Sequence, residues 1–242
     1  MPGSAEGSMR IIGREFLCNI YVNNLAVGPT AGFVTNNNGT PTQTGGQLYL
    51  LPTNSFYIPP PLLTFARLFQ RYRLNGVRFE YATSIGTAQN TSFVMGFAAD
   101  PGYPESCGAT GPNFYVARPI VDQLPQCVKI PAWCESCMID ATITKEWKYL
   151  RGDEFNSQYS FANTADDRMS YFGVLLVSLA SIDSSIAVAA TQTVGDLYMH
   201  YDIELVDLSL VQSNPTTFLS DDHKTKEVEP PRSESRSRKV KA

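Results

Sequence analysis

The densest group of metal-binding side chains in this 242-residue sequence is Cys134-Glu135-Ser136-Cys137. Zinc takes four ligands, and a single C-x-x-C supplies two, with Cys127 as a third and no histidine nearby. In an extended chain an offset of three turns the two side chains to opposite faces, so the spacing predicts small buried thiols rather than a shared ion. Cys107, in a glycine-rich loop, has no base beside it that would activate a nucleophile. Only two histidines are present. His223 lies in polar sequence near the end, and His200 alternates with Tyr201 in a strand pattern, facing solvent or a neighbouring subunit; neither reads as part of a triad. The nucleophile elbow, the P-loop, the dinucleotide fingerprint and the H-E-x-x-H zinc motif are all missing from the sequence.

Carboxylates and cations offer more. Asp100 and Glu105 share one loop, Asp153 and Glu154 adjoin, and so do Asp166 and Asp167. Calcium takes six to eight oxygens, which two chains can supply together; the competing reading of each pair is a solvated acidic loop. Near the C-terminus Arg232, Arg236, Arg238, Lys239 and Lys241 form a basic cluster. It suits phosphate binding without sequence preference, or a nuclear-import signal, or a merely soluble end. Base stacking by this tail is not expected, because no aromatic residue follows Phe218. Formal charge is −4 overall, divided into −8 for residues 1–223 and +4 for residues 224–242.

These groups must be positioned by strands. With 43% hydrophobic and 17% charged residues the chain is globular in composition. Period-two alternation dominates, as in Phe16, Cys18, Ile20 and Val22, or Phe93, Met95 and Phe97. In the last strand the set Leu197, Met199, Tyr201, Ile203 and Leu205 changes phase to Val206, Leu208 and Leu210, which predicts a bulge or a change of sheet near Leu205. Eight strands are predicted, at 14–23, 46–52, 73–84, 91–99, 126–141, 145–151, 169–181 and 195–210. A helix is predicted through Leu62, Phe65, Ala66, Phe69 and Tyr72, which recur at helical spacing behind Pro61. A second, over 114–124, is limited by Pro119. Asn38-Gly39 signals a tight turn.

The expected fold class is all-β, an eight-stranded jelly-roll sandwich with one or two short helices in its connections. Residues 1–13 read as a short arm, 14–212 as the sandwich and 213–242 as a polar basic tail. No apolar run reaches the length of a membrane span, so no membrane partner is expected. Five cysteines without a framework spacing suit reduced thiols.

Three stretches carry a family resemblance: "GREFLCNI", the segment "LYLLPTNSFYIPPPLLTFARLFQRYRLNGVRFEYATSIGTAQNTSFVMGFAADP", and "VGDLYMHYDIELVDLS". They resemble the shell domain of small icosahedral RNA-virus coat proteins, of tombusvirus-like and sobemovirus-like type. Tyr72, Arg73, Phe79 and Tyr81 match one strand motif; Gly195, Leu197, Tyr201, Ile203 and Leu205 match that of the final strand. The resemblance implies a structural capsid protein, not an enzyme, that self-assembles in about 180 copies under closed symmetry. It implies encapsidation of a genome, expected to be single-stranded RNA, with the virion as destination and host cytoplasm as the place of assembly. It further implies calcium between subunits, with Asp100 and Glu105 as its candidate ligands. Members carry a long basic N-terminal arm, whereas residues 1–13 here offer only Arg10, and the basic cluster stands at the other end. Arg10 and the five tail cations are therefore the candidate nucleic-acid contacts. The alternative is a non-viral jelly-roll module that binds carbohydrate or a receptor, although two tryptophans, Trp133 and Trp147, make a poor sugar platform.

Overall fold

A computed structural model describes residues 8–26, 28–37, 40–50, 60–66, 68–103, 115–150 and 171–208. Among the described residues eleven strands run in order as β1 (Met9–Leu25), β2 (Gly28–Asn37), β3 (Thr40–Thr44), β4 (Gln47–Leu50), β5 (Phe69–Thr83), β6 (Ser92–Ala98), β7 (Val128–Pro131), β8 (Ser136–Asp140), β9 (Lys148–Tyr149), β10 (Gly173–Ser181) and β11 (Thr191–Leu208). Helix α1 (Pro60–Ala66) precedes β5, and α2 (Arg118–Asp122) follows β6. One sheet has the order β3-β2-β1-β11-β5-β8, with β9 also on β5; the other has β4-β10-β6-β7. Every pairing is antiparallel. The first long strand pairs with the last, β4 with the strand before the last, and the chain thus rolls up from its ends, which is the predicted jelly roll with an added β2–β3 hairpin.

The two sheets meet through an aromatic seam. Phe93 on β6 packs edge-on against Tyr81 on β5, with centroids 5.0 Å apart. Phe97 on β6 lies 5.8 Å from Phe79 on β5. Phe172, next to β10, reaches Tyr72 on β5 at 6.4 Å. All six rings are buried. Alternation supplies them from each strand's inner face, and burial of 150–250 Å² per ring makes this seam the main source of cohesion between sheets. The Tyr81 hydroxyl sits between the carbonyls of Ala132 and Val194, at 2.6 and 2.9 Å, so its burial leaves no polar atom stranded.

Four expectations need correction. The predicted helix stops at Ala66, and Phe69 and Tyr72 belong to β5; Phe65, placed on the apolar stripe, is exposed. Both rings are buried either way, so apolar spacing alone could not separate one long helix from a helix followed by a strand. The predicted strand 126–141 is two strands in different sheets, divided by a turn in which the Cys134 N–H bonds to the Pro131 carbonyl. Phe16 does not share a face with Cys18: a bulge between them sends Phe16 outward, 41% exposed, while Cys18 stays buried. Strands β2 and β3 fall outside the eight predicted strands; they pair as far as Asn37↔Thr40, and the tight-turn signal Asn38-Gly39 lies outside the described residues. The phase change in the last strand has a counterpart in the register shift at Asp202/Ile203, and Leu205 and Val206 are both buried before Asp207 takes a φ of 61°. Pro119 proves to sit in the first turn of α2, where its missing N–H is no loss.

Candidate functional site

The outward face of the larger sheet gathers a dense set of charges, because three long strands place every second residue there. From β1 come Arg10, Ile12, Arg14 and Phe16; from β11, Tyr198, His200, Asp202 and Glu204; from β5, Arg71, Arg73, Arg78 and Glu80. The acidic strand lies between two basic ones. Arg10 grips Asp202 with two bonds, Nε to Oδ1 at 2.8 Å and Nη2 to Oδ2 at 2.6 Å. Arg73 pairs with Glu204, Arg71 with Asp207, and Arg78 with Asp140 of β8. Arg73 faces Glu204 directly across the ladder, while Arg10 reaches Asp202 diagonally and Arg14 reaches Glu80 across β11, so a slipped register would separate these pairs and the lattice fixes β11 between its neighbours.

Glu80 is the node of the lattice. Its Oε2 accepts from Arg14 Nε at 2.8 Å and lies 2.7 Å from His200 Nε2. These two hydrogen bonds, Arg14's first, hold the Glu80 carboxyl down at about 2. Asp202 is also lowered, chiefly by its bond from Arg10. A depressed carboxylate stabilises the fold above its unfolded value of about 4 and ceases to do so as pH falls through that value toward 2. Glu80→Gln is therefore expected to cost on the order of 1 kcal/mol at neutral pH and almost nothing below pH 2, read as converging urea midpoints. A difference that does not shrink with acid would assign the effect to something other than charge.

On the inner side of the same sheet, Glu15 accepts from the Tyr201 hydroxyl at 2.6 Å, and burial raises both groups. Gly13 leaves room for that ring: a Cβ there would stand 2.6 Å from the Tyr201 oxygen.

The residues singled out in the sequence are placed as follows. Arg10 is on the ionic face and already paired. His200 is outward-facing, as expected, and tied to Glu80. Asp100 follows β6; its Oδ1 accepts from the Gly102 N–H at 2.9 Å, and its charge reaches Lys148, which burial lowers. Cys134 lies in the turn before β8 and not in an extended run with Cys137; its thiol donates to the Ser136 carbonyl at 3.5 Å, and burial is the first cause that raises Cys137 to about 11. Both are free thiols, with no group of three metal-ligating side chains among the described residues. Glu105, Cys107, Asp153, Glu154, Asp166, Asp167, His223 and the tail cations Arg232, Arg236, Arg238, Lys239 and Lys241 lie outside the described residues. The chain divides into units Met1–Leu210 and Val211–Ala242, and all described residues belong to the first.

The sequence reading missed the ionic face. Its signal was present, as charges at period two in Arg10/Arg14, Arg71/Arg73, Arg78/Glu80 and Asp202/Glu204, but period two says which residues share a face and not which strands lie side by side.

A jelly roll whose polar groups are spread over a sheet face, not gathered around a reacting centre, is of the class that works through surfaces. The model of the viral coat protein (S domain) family matches residues 2–208, and the chain belongs to that family: it is a structural capsid protein. Its fold is similar to the crystal structure of Cucumber Necrosis Virus, with a TM-score of 0.58 and 21% identity over 85% of this chain and 58% of that one. It is similar also to the cryo-EM structure of Mud crab tombus-like virus, with a TM-score of 0.60 and 14% identity over 86% and 93% of the two chains. Tobacco necrosis virus gives a TM-score of 0.59 at 16% identity, over 86% of each chain. At such identities the likeness is one of fold. No curated protein sequence matches the chain.

Proposed function

We propose that this chain closes into an icosahedral shell around a single-stranded RNA genome and does no chemistry of its own. The observation that carries the reading is the end-to-end roll of two sheets, joined to a coat-protein family match over residues 2–208. Residues 1–223 carry −8, so like bodies repel, and assembly needs apolar contacts, bound cations or packaged nucleic acid to offset that repulsion. The ionic face lessens the problem locally, since each of its arginines is matched by a carboxylate. The cations Arg232, Arg236, Arg238, Lys239 and Lys241 are the proposed phosphate contacts. Arg10 is a weaker candidate than it was in the sequence, because Asp202 already neutralises it. The proposed copy number is about 180, one of the closed arrangements open to identical subunits. The proposed place of assembly is the host cytoplasm.

Expressed protein mixed with RNA is expected to form uniform spheres in negative stain; small oligomers at every ionic strength tried would overturn the reading. Calcium between subunits through Asp100 and Glu105 remains part of the proposal, although one chain's described residues do not make a calcium site by themselves. Raised pH together with a chelator is then expected to swell or dissociate the particles. Particles indifferent to both would remove calcium from the account.

A further inference from the structure

The ionic face also carries an unusual set of exposed rings. Trp147 is 37% exposed and Tyr149 50%, and both stand beside β5, where Tyr149 is paired with Arg71. The Arg73 guanidinium lies 4.6 Å from the centre of the Trp147 ring, and that of Arg71 lies 5.9 Å from it. Farther along the strands Arg14 covers Tyr198 at 3.8 Å, with Phe16 edge-on to the same ring at 5.9 Å. Glu204, which holds Arg73, and Tyr198 are six residues apart on β11, roughly 20 Å at the usual rise. Between them the face sinks into a depression of about 310 Å³ at Gly76, rimmed by Arg78, Asp140, His200 and Asp202. The surface thus has two ring-and-guanidinium platforms with a polar hollow between.

Resting on the coat-protein reading, we propose that this face binds single-stranded nucleic acid by stacking unpaired bases on Trp147 with Tyr149 and on Phe16, which the half-buried, Arg14-covered Tyr198 backs. Aromatic rings backed by arginine planes accept any base, because every base has a π face. An antiparallel sheet presents such rings at fixed spacing, so bases can be splayed across it. The arginines act here as planes and not as phosphate ligands, since Arg14, Arg71 and Arg73 each hold a carboxylate. That division gives the face a signature unlike the tail's. Seven Lys and Arg in residues 224–242 release counterions when they meet phosphates, so binding by the tail falls steeply with salt. Stacking on an electroneutral face releases few, and persists.

The chain has two tryptophans, so Trp133→Phe leaves Trp147 as the sole indole reporter. Full-length Trp133→Phe protein is titrated with unlabelled poly(U), while binding of a labelled oligonucleotide is followed in parallel by anisotropy. Trp147 emission is expected to fall by about half or more, and to do so still at high salt, where the tail has released its phosphates. In the otherwise native chain Trp147→Ala is expected to weaken high-salt binding by about tenfold to a hundredfold, with Trp147→Phe recovering most of it. Anisotropy that reports binding while Trp147 emission stays constant overturns the platform and leaves the coat-protein reading in place. Failure of both signals, with no particles formed, overturns both. Emission that changes with protein concentration in the absence of poly(U) overturns the proposal in favour of a contact between copies.

Discussion

Gly173→Ala is expected to lose about 3–6 kcal/mol of stability, enough to leave little folded protein in a domain of ordinary marginal stability. Gly173 opens β10 with a φ of 152°, a conformation that side chains rarely adopt. Its Cα also lies against the aromatic seam. A Cβ would stand 2.2 Å from the edge of the Phe97 ring and 2.6 Å from the Ala98 carbonyl oxygen, and the latter is backbone of the paired strand β6 and cannot swing aside. Strain and overlap therefore add. The measurement is a urea midpoint, with Gly76→Ala as control. Gly76 has open space around its Cα and no positive φ, so that change should stay within about 1 kcal/mol of the parent. Equal losses at the two sites would show that glycine loss as such, and not the seam, sets the cost.

Phe93→Ala should cost about 3–5 kcal/mol, through lost transfer energy and the cavity left between sheets. Phe93 is fully buried and meets Tyr81 edge-on, so the change removes one of the rings that join β6 to β5. Tyr81→Phe makes an informative partner. It keeps the ring and deletes only the hydroxyl between the Ala132 and Val194 carbonyls, and Ala132 still receives the Thr83 hydroxyl at 2.6 Å; the loss should be about 1 kcal/mol. Urea midpoints with unchanged slopes would separate the two effects, and particle yield should follow the midpoint. A Phe93→Ala loss below that of Tyr81→Phe would mean that the sheets are held elsewhere.

Assembly should be more sensitive to these inner changes than to any single surface pair. Ion pairs such as Arg78–Asp140 are largely exposed and contribute little one at a time. Their value lies in setting which strand lies beside which, and in leaving one face without a large net charge of its own.

Much of this protein was legible from the amino-acid order. Alternation at Phe93, Met95 and Phe97, or at Leu197 through Leu205, depends on neighbours along one strand, so it announces strands and their buried face without reference to anything distant. The all-β roll, the short first helix and the second helix at Arg118–Asp122 were readable because each depends on residues close together in the chain. What the order of residues could not decide was set by partners far away in the chain. Phe16 leaves the core because a bulge forms against β11, Phe69 and Tyr72 become strand because β11 pairs with them, and the predicted strand 126–141 divides into β7 and β8 because the chain turns there to change sheets. The ionic face is the fullest case: Arg14, Glu80 and His200 meet only when β1, β11 and β5 lie side by side. Local pattern follows from the geometry of one strand, whereas a surface is made by the pairing of strands more than a hundred residues apart, and only the folded chain fixes that pairing.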